Sequence, residues 1–208
     1  MFRNIFHPDS ALMITMTQIT DCIFLSLFWL VGCFPLVTIG ASAAALYDSV
    51  WRGFRKGDRH PWQRFFYSFR QNLKPGLLPS VIVLAAAASV LWILIRLWNN
   101  AVYGRISWTL FAGVAFVMLV VLGIGSILFP MLSRFENPTA VLFANTFRLG
   151  MAHLPRTVGL GLVNTAVIFL CVRYVFPLFF LPALGSLIST LFLEPMFKPY
   201  MPEEEDAA

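Results

Sequence analysis

Residues 106–132 read ISWTLFAGVAFVMLVVLGIGSILFPML, which is a run of 27 residues without a charged side chain. A helix needs about 20 predominantly apolar residues to cross the hydrocarbon core of a bilayer. A run of this length can cross with some tilt. The sequence therefore predicts a transmembrane helix at this point, and the rest of the chain can be placed around it.

The composition of the whole chain agrees with a membrane location. Of the 208 residues, 59% are hydrophobic and 12% are charged. Soluble domains average about 45–50% apolar and about 25% charged residues. We therefore expect an all-α fold, a polytopic transmembrane helical bundle.

Four further apolar stretches are predicted to form transmembrane helices. The last two share one long stretch that Arg173 and Pro177 divide, so the final segment either crosses the membrane or re-enters it. We expect residues 1–200 to form a single membrane domain and residues 201–208 to form a disordered acidic tail. The five predicted spans are residues 20–39, 76–97, 106–132, 157–173 and 177–193.

The distribution of positive charge predicts the orientation. Most of the fifteen Lys and Arg residues lie in alternate segments, seven of them between the first and second predicted spans. Cytoplasmic loops are enriched in Lys and Arg. With five spans, this rule places the amino terminus outside and the carboxyl terminus inside. Because topology explains the net charge of +5, we expect no nucleic-acid partner.

Two connecting segments, residues 61–74 and 138–152, are predicted to be amphipathic helices. In both, large apolar residues recur at helical spacing among basic or polar ones. Such helices lie in the membrane interface on the cytoplasmic side or dock a partner. The candidate membrane-interface or partner contacts are Trp62, Arg64, Phe65, Phe69, Arg70, Lys74, Phe143, Phe147 and Arg148.

Five other residues are candidates for packing between helices. Gly40 and Ala44 would let helices approach closely, and Asp48 and Arg52 are one helical turn apart and could pair. Asn164 lies well inside a predicted span, where an interhelical hydrogen bond is its expected role. The small residues in 40–45 and 85–89 would also permit packing between copies of the chain.

Sequence motifs for chemistry are absent. There is no phosphate-binding loop, no dinucleotide fingerprint, no nucleophile elbow and no His-Glu-x-x-His. Three cysteines occur without a Cys-x-x-Cys pair, and the three histidines are far apart in the sequence. We therefore predict no catalytic residue, no cofactor and no metal, and we expect that the protein is not an enzyme.

One set of residues carries a family resemblance. It comprises Pro35, Thr38, Gly40, Ala45, Leu46, Tyr47, Phe65, Phe66, Phe69, Lys74 and Pro75, followed by Phe129-Pro130 and LPALGS from Leu181. With these residues the chain resembles the YesL-like family of bacterial membrane proteins, a domain of unknown function. Position 41 is Ala, where Pro would be expected in many members.

The resemblance implies a multi-pass protein of the bacterial cytoplasmic membrane. It also implies that genes for carbohydrate uptake lie nearby. It identifies no functional-site residues in this chain. We therefore expect an accessory or regulatory component that works beside a sugar-transport permease. The alternative is an autonomous small-molecule transporter or channel that self-associates, and an enzyme acting on lipid or glycan comes third.

Overall fold

The computed structural model describes residues 11–58, 60–103, 108–135 and 138–200. This part of the chain is almost entirely helical and contains no strand, which confirms the predicted all-α class. The predicted tail 201–208 lies outside the described residues. The helices are α1 (Ala11–Cys33), α2 (Ile39–Val50), α3 (Pro61–Val102), α4 (Trp108–Arg134), α5 (Thr139–Ala152), α6 (Leu154–Arg173) and α7 (Leu181–Phe197).

Four of the described helices, α1, α3, α4 and α6, are long and apolar enough to cross a membrane. The first predicted span, 20–39, extends too far, because α1 ends at Cys33. Pro35 explains the difference, since a proline disfavours the helical conformation of the residue before it. After Pro35 a short 3₁₀ turn, Leu36–Thr38, leads directly into α2.

The fifth predicted span, 177–193, corresponds to α7, which follows a 3₁₀ turn at Phe176–Phe179. With 17 residues α7 is about 25 Å long, slightly shorter than a hydrocarbon core of about 30 Å. It runs antiparallel to α6, because Gly185 lies against Val167 and Gly159 lies against Phe192. That α7 crosses the membrane stays a prediction.

The prediction of a separate helix over 61–74 is wrong, because this segment is the beginning of the 42-residue helix α3. The helix continues through Pro75 and Pro79, although each lacks a backbone N–H. Packing against α2 supports this part of α3. The backbone N–H of Gly40 donates to the Ser80 hydroxyl at 3.0 Å, and that hydroxyl donates to the Gly76 carbonyl at 2.5 Å.

Helix α2 is the centre of the bundle. It packs against α1, α3, α4 and α7, and ten of its twelve residues are buried. Small side chains make this possible: a Cβ atom added at Gly40 would collide with the Ser80 hydroxyl and the Phe129 ring, and Ala44 is fully buried. Gly40 and Ala44 are therefore packing residues, as predicted.

Helices α4 and α6 cross at two glycines. Each Gly faces a backbone carbonyl of the other helix, Gly123 that of Thr157 and Gly161 that of Leu119. The side-chain amide of Asn164 donates to the Ser126 hydroxyl at 2.7 Å, which is the interhelical hydrogen bond predicted for Asn164. Backbone contact without intervening side chains is typical of helices in membranes.

This crossing predicts that Gly161→Ala lowers the free energy of unfolding by about 1–3 kcal/mol, because the added methyl group meets the Leu119 carbonyl. Thermal unfolding of the purified protein in detergent measures the effect. Gly113→Ala in α4 is the matched control, since a Cβ there meets nothing within 4 Å. Equal melting temperatures for the two variants would contradict the close crossing of α4 and α6.

Candidate functional site

A buried carboxylate lies at the end of α2. The Asp48 side chain is 1% exposed, and its two oxygens accept hydrogen bonds from different arginines. Arg52 Nε donates to Oδ1 at 3.0 Å and Arg64 Nε donates to Oδ2 at 2.6 Å. The predicted pair of Asp48 and Arg52 is confirmed. Arg64 belongs to α3, so the second ion pair joins α2 to the beginning of α3.

A third ion pair, between Arg134 and Glu194, lies on the neighbouring side of α2. Arg134 Nη2 donates to Glu194 Oε1 at 2.9 Å, and the Tyr47 hydroxyl donates to the same oxygen at 2.8 Å. The Arg134 side chain is 2% exposed, and its Cζ lies 3.5 Å from the centre of the Trp51 ring. Burial, followed by the charge of Glu194, raises the pKa of Tyr47 well above its ordinary value, so the hydroxyl remains a donor.

Together the three ion pairs form a polar cluster that connects α2 with α3, α4 and α7. Glu194 and Arg134 are far apart in sequence, and only their position at the ends of apolar stretches could have drawn attention to them. In the part of the chain that the structure describes, no group of three or more His, Cys, Asp or Glu could hold a metal ion. The contacts favour a structural role, because every charge has an opposite charge beside it.

Besides the buried cluster, the exposed face of the first four turns of α3 is a second candidate site. Trp62, Phe66 and Tyr67 are 45%, 46% and 59% exposed, and Arg70 and Lys74 are also exposed. A shallow groove follows this face. It is lined by Trp62, Gln63, Phe66, Tyr67, Arg70 and Gln71.

Three residues predicted as contacts on this segment are directed inward instead. Phe65 is 2% exposed and packs against Phe28 of α1 and Phe69, with ring centres 6.0 and 6.1 Å apart. Phe69 is half-buried, and Arg64 holds Asp48. The helix has aromatic residues on both sides, so spacing alone could not identify the side that packs against the protein.

Helix α5 shows the same ambiguity. Its buried side consists of Leu142, Thr146, Leu149 and Gly150. Phe147 and Arg148, two predicted contacts, are exposed, whereas Phe143 is half-buried and packs against the core. Helix α5 therefore has apolar residues on its inner and outer sides, and its position in the membrane interface stays a prediction.

Comparison with known proteins adds one similarity. Residues 22–95 match the model of a family described as a protein of unknown function, DUF624. No curated protein and no solved structure matches the chain. The matched region runs from α1 through α2 into α3, so it contains the central helix and the Asp48 ion pairs. It supports the expected family of unknown function, while the YesL-like name and the bacterial source stay expectations.

The Asp48 cluster predicts that Asp48→Asn lowers the free energy of unfolding by about 2–3 kcal/mol, because two guanidinium groups lose their carboxylate. The loss is below that of a fully buried pair, since both arginines reach solvent. Chemical or thermal unfolding in detergent measures it. Asp58→Asn, at an exposed carboxylate, is the control and should change stability little. A variant at Asp48 as stable as this control would show that the ion pairs are dispensable.

Proposed function

We propose that this chain is a non-enzymatic accessory component of a membrane uptake system and that it docks a partner protein through the exposed groove of α3. The groove is the observation that carries the proposal. Its residues combine exposed Trp, Tyr and Arg, the types that most often dominate binding at protein interfaces. The gene neighbourhood that the family resemblance implies is the reason to expect a sugar-transport permease of the bacterial cytoplasmic membrane as the partner.

The anchoring of the groove supports this role. Phe65 and Arg64 fix the opposite side of the same helical turns to α1 and α2, so the exposed side chains extend from a rigid element. A preorganised surface loses less conformational entropy on binding than a mobile one. Arg64 itself belongs to the fold, and a charge reversal there would bring a second carboxylate to Asp48.

The small residues bear on the alternative of an autonomous transporter or channel that self-associates. Residues 40–45, predicted as one possible oligomer contact, are largely buried within a single chain against α3 and α4. In the other predicted oligomer contact, residues 85–89, the side chains of Ala85, Ala86 and Ser89 are exposed. Flux of solute into liposomes that contain only this protein would favour the alternative over an accessory role.

We further propose that the carboxyl terminus is inside. The outside position predicted for the amino terminus is not part of the proposal, because Phe28 lies against Phe65 and Gly32 against Phe69, so α1 runs parallel to the beginning of α3 and starts on the same side. The contacts of α7 support the inside position of the carboxyl terminus. Helix α6 ends at Arg173, and α7 returns along it until Glu194 meets Arg134 at the end of α4. The carboxyl-terminal end of α7 therefore lies beside the end of α4, which precedes one of the basic connections predicted to be cytoplasmic.

This orientation can be tested by cysteine labelling in intact cells, after replacement of the three native cysteines. Asp58→Cys and a cysteine appended after Ala208 are expected to be protected from a membrane-impermeant maleimide, whereas Asn99→Cys should react. Permeabilised cells supply the control, since all three sites should then react. Reaction of the appended cysteine beside a protected Asp58→Cys would show that α7 does not cross the membrane.

The docking proposal predicts that Trp62→Ala/Tyr67→Ala lowers recovery of the permease by at least about tenfold, because two exposed aromatic anchors are removed. The measurement is quantitative mass spectrometry after purification of the tagged protein from its native membrane in mild detergent. Sugar uptake by cells that carry the variant is measured in parallel, with and without the permease.

A matched control removes the same residue types elsewhere. Trp92→Ala/Tyr174→Ala deletes an exposed Trp and an exposed Tyr, each beside an arginine as Tyr67 is. Permease recovery should remain at the wild-type level in this control. Recovery of the chain alone, or an equal loss in both double variants, would refute docking through the α3 groove.

A further inference from the structure

A single ridge on α3 carries three kinds of side chain in order. Residues four apart in a helix are neighbours on its surface, and each step of four residues turns the ridge by about 40° around the helix axis. Along this ridge two aromatic residues come first, two cations follow, and two aliphatic residues come last, all of them exposed. The members of the ridge are Trp62, Phe66, Arg70, Lys74, Leu78 and Ile82.

The aliphatic end of the ridge belongs to the apolar part of α3 that is long enough to cross a membrane. Lys74 and Arg70 lie about 6 and 12 Å along the helix from Leu78, at 1.5 Å per residue. The polar layer on each side of a bilayer begins where the hydrocarbon ends and is about 5–8 Å thick. With Leu78 placed at the edge of the hydrocarbon, Lys74 lies within this layer and Arg70 lies on its outer side, next to the phospholipid headgroups.

The charged residues near this position in the sequence are all positive. The sequence contains no Asp or Glu between Asp58 and Glu136. Within the described residues neither Arg70 nor Lys74 forms an ion pair, whereas Arg52 and Arg64 share Asp48. A guanidinium group binds phosphate oxygens in a bidentate manner, and a neighbouring ammonium adds a point charge. An anionic headgroup is the complement of this pair.

From this arrangement we infer that Arg70 and Lys74 form a binding site for one anionic phospholipid. The phosphate lies between the two cations, and an acyl chain follows Leu78 and Ile82. A zwitterionic lipid binds more weakly, because its own ammonium group repels the two cations. The site lies at the membrane end of the α3 groove and does not depend on a protein partner at Trp62 and Tyr67.

The test is native mass spectrometry of the full-length protein in detergent, titrated with phosphatidylglycerol or with phosphatidylcholine of the same acyl chains. Each cation at a membrane surface contributes about fivefold to the binding of an anionic lipid. Arg70→Gln/Lys74→Gln is therefore expected to weaken retention of phosphatidylglycerol about 25-fold and to change retention of phosphatidylcholine little. The charge-conserving variant Arg70→Lys/Lys74→Arg should retain most of the binding.

The controls separate this site from general charge and from soluble phosphate. Arg55→Gln/Arg173→Gln removes two exposed cations elsewhere and should bind phosphatidylglycerol as the wild type does. Glycerophosphoglycerol, the headgroup without acyl chains, should not displace the lipid. The inference is overturned if the two Gln double variants lose equal affinity, if the two lipids bind equally, or if the soluble headgroup displaces phosphatidylglycerol. Unchanged melting temperatures establish that every variant is folded.

Discussion

The carboxylate of Asp48 is the constraint on which the rest of the bundle depends. A charge removed from water is tolerated only where opposite charges and hydrogen-bond donors surround it. Asp48 meets this condition through two arginines, one on its own helix segment and one on α3. The position of α2 relative to α3 is therefore fixed at this end by charge, and at the other end by the contact of Gly40 with Ser80.

Small side chains and fixed charges have complementary roles in this arrangement. The small residues of α2, and the glycines where α4 meets α6, bring backbones together, and dispersion forces act strongly only at such short range. The ion pairs of Asp48 and Glu194 then select one register among several that close packing alone would permit. With the inner side of α3 held in this way, its aromatic and basic outer side is presented in a fixed geometry.

Much of this fold could be predicted from the sequence because membrane helices leave strong local signals. Uncharged apolar runs located α4 and most of α6, and the one-turn spacing of Asp48 and Arg52 was enough to predict their ion pair. Local signals failed where tertiary contacts determine how far a helix extends and which of its faces is buried. Packing against α2 keeps α3 helical through two prolines, and residues 61–74 are aromatic on both sides, so Phe65 could not be distinguished from Phe66. The contacts of Arg134 and Glu194 join distant segments, for which sequence spacing provides no measure.

The bond between Tyr47 and Glu194 also has a consequence for the order in which the protein is made. Its two residues are separated by 147 positions in the chain. At a synthesis rate of about 5–20 residues per second, roughly 7–30 s pass between the emergence of the two partners. During this interval the Tyr47 hydroxyl in the last turn of α2 has been synthesised, but the Glu194 carboxylate that accepts its hydrogen bond has not. The contacts of the central helix are therefore complete only after α7 has been synthesised, and a chain interrupted before Glu194 would lack the acceptor for the Tyr47 hydroxyl.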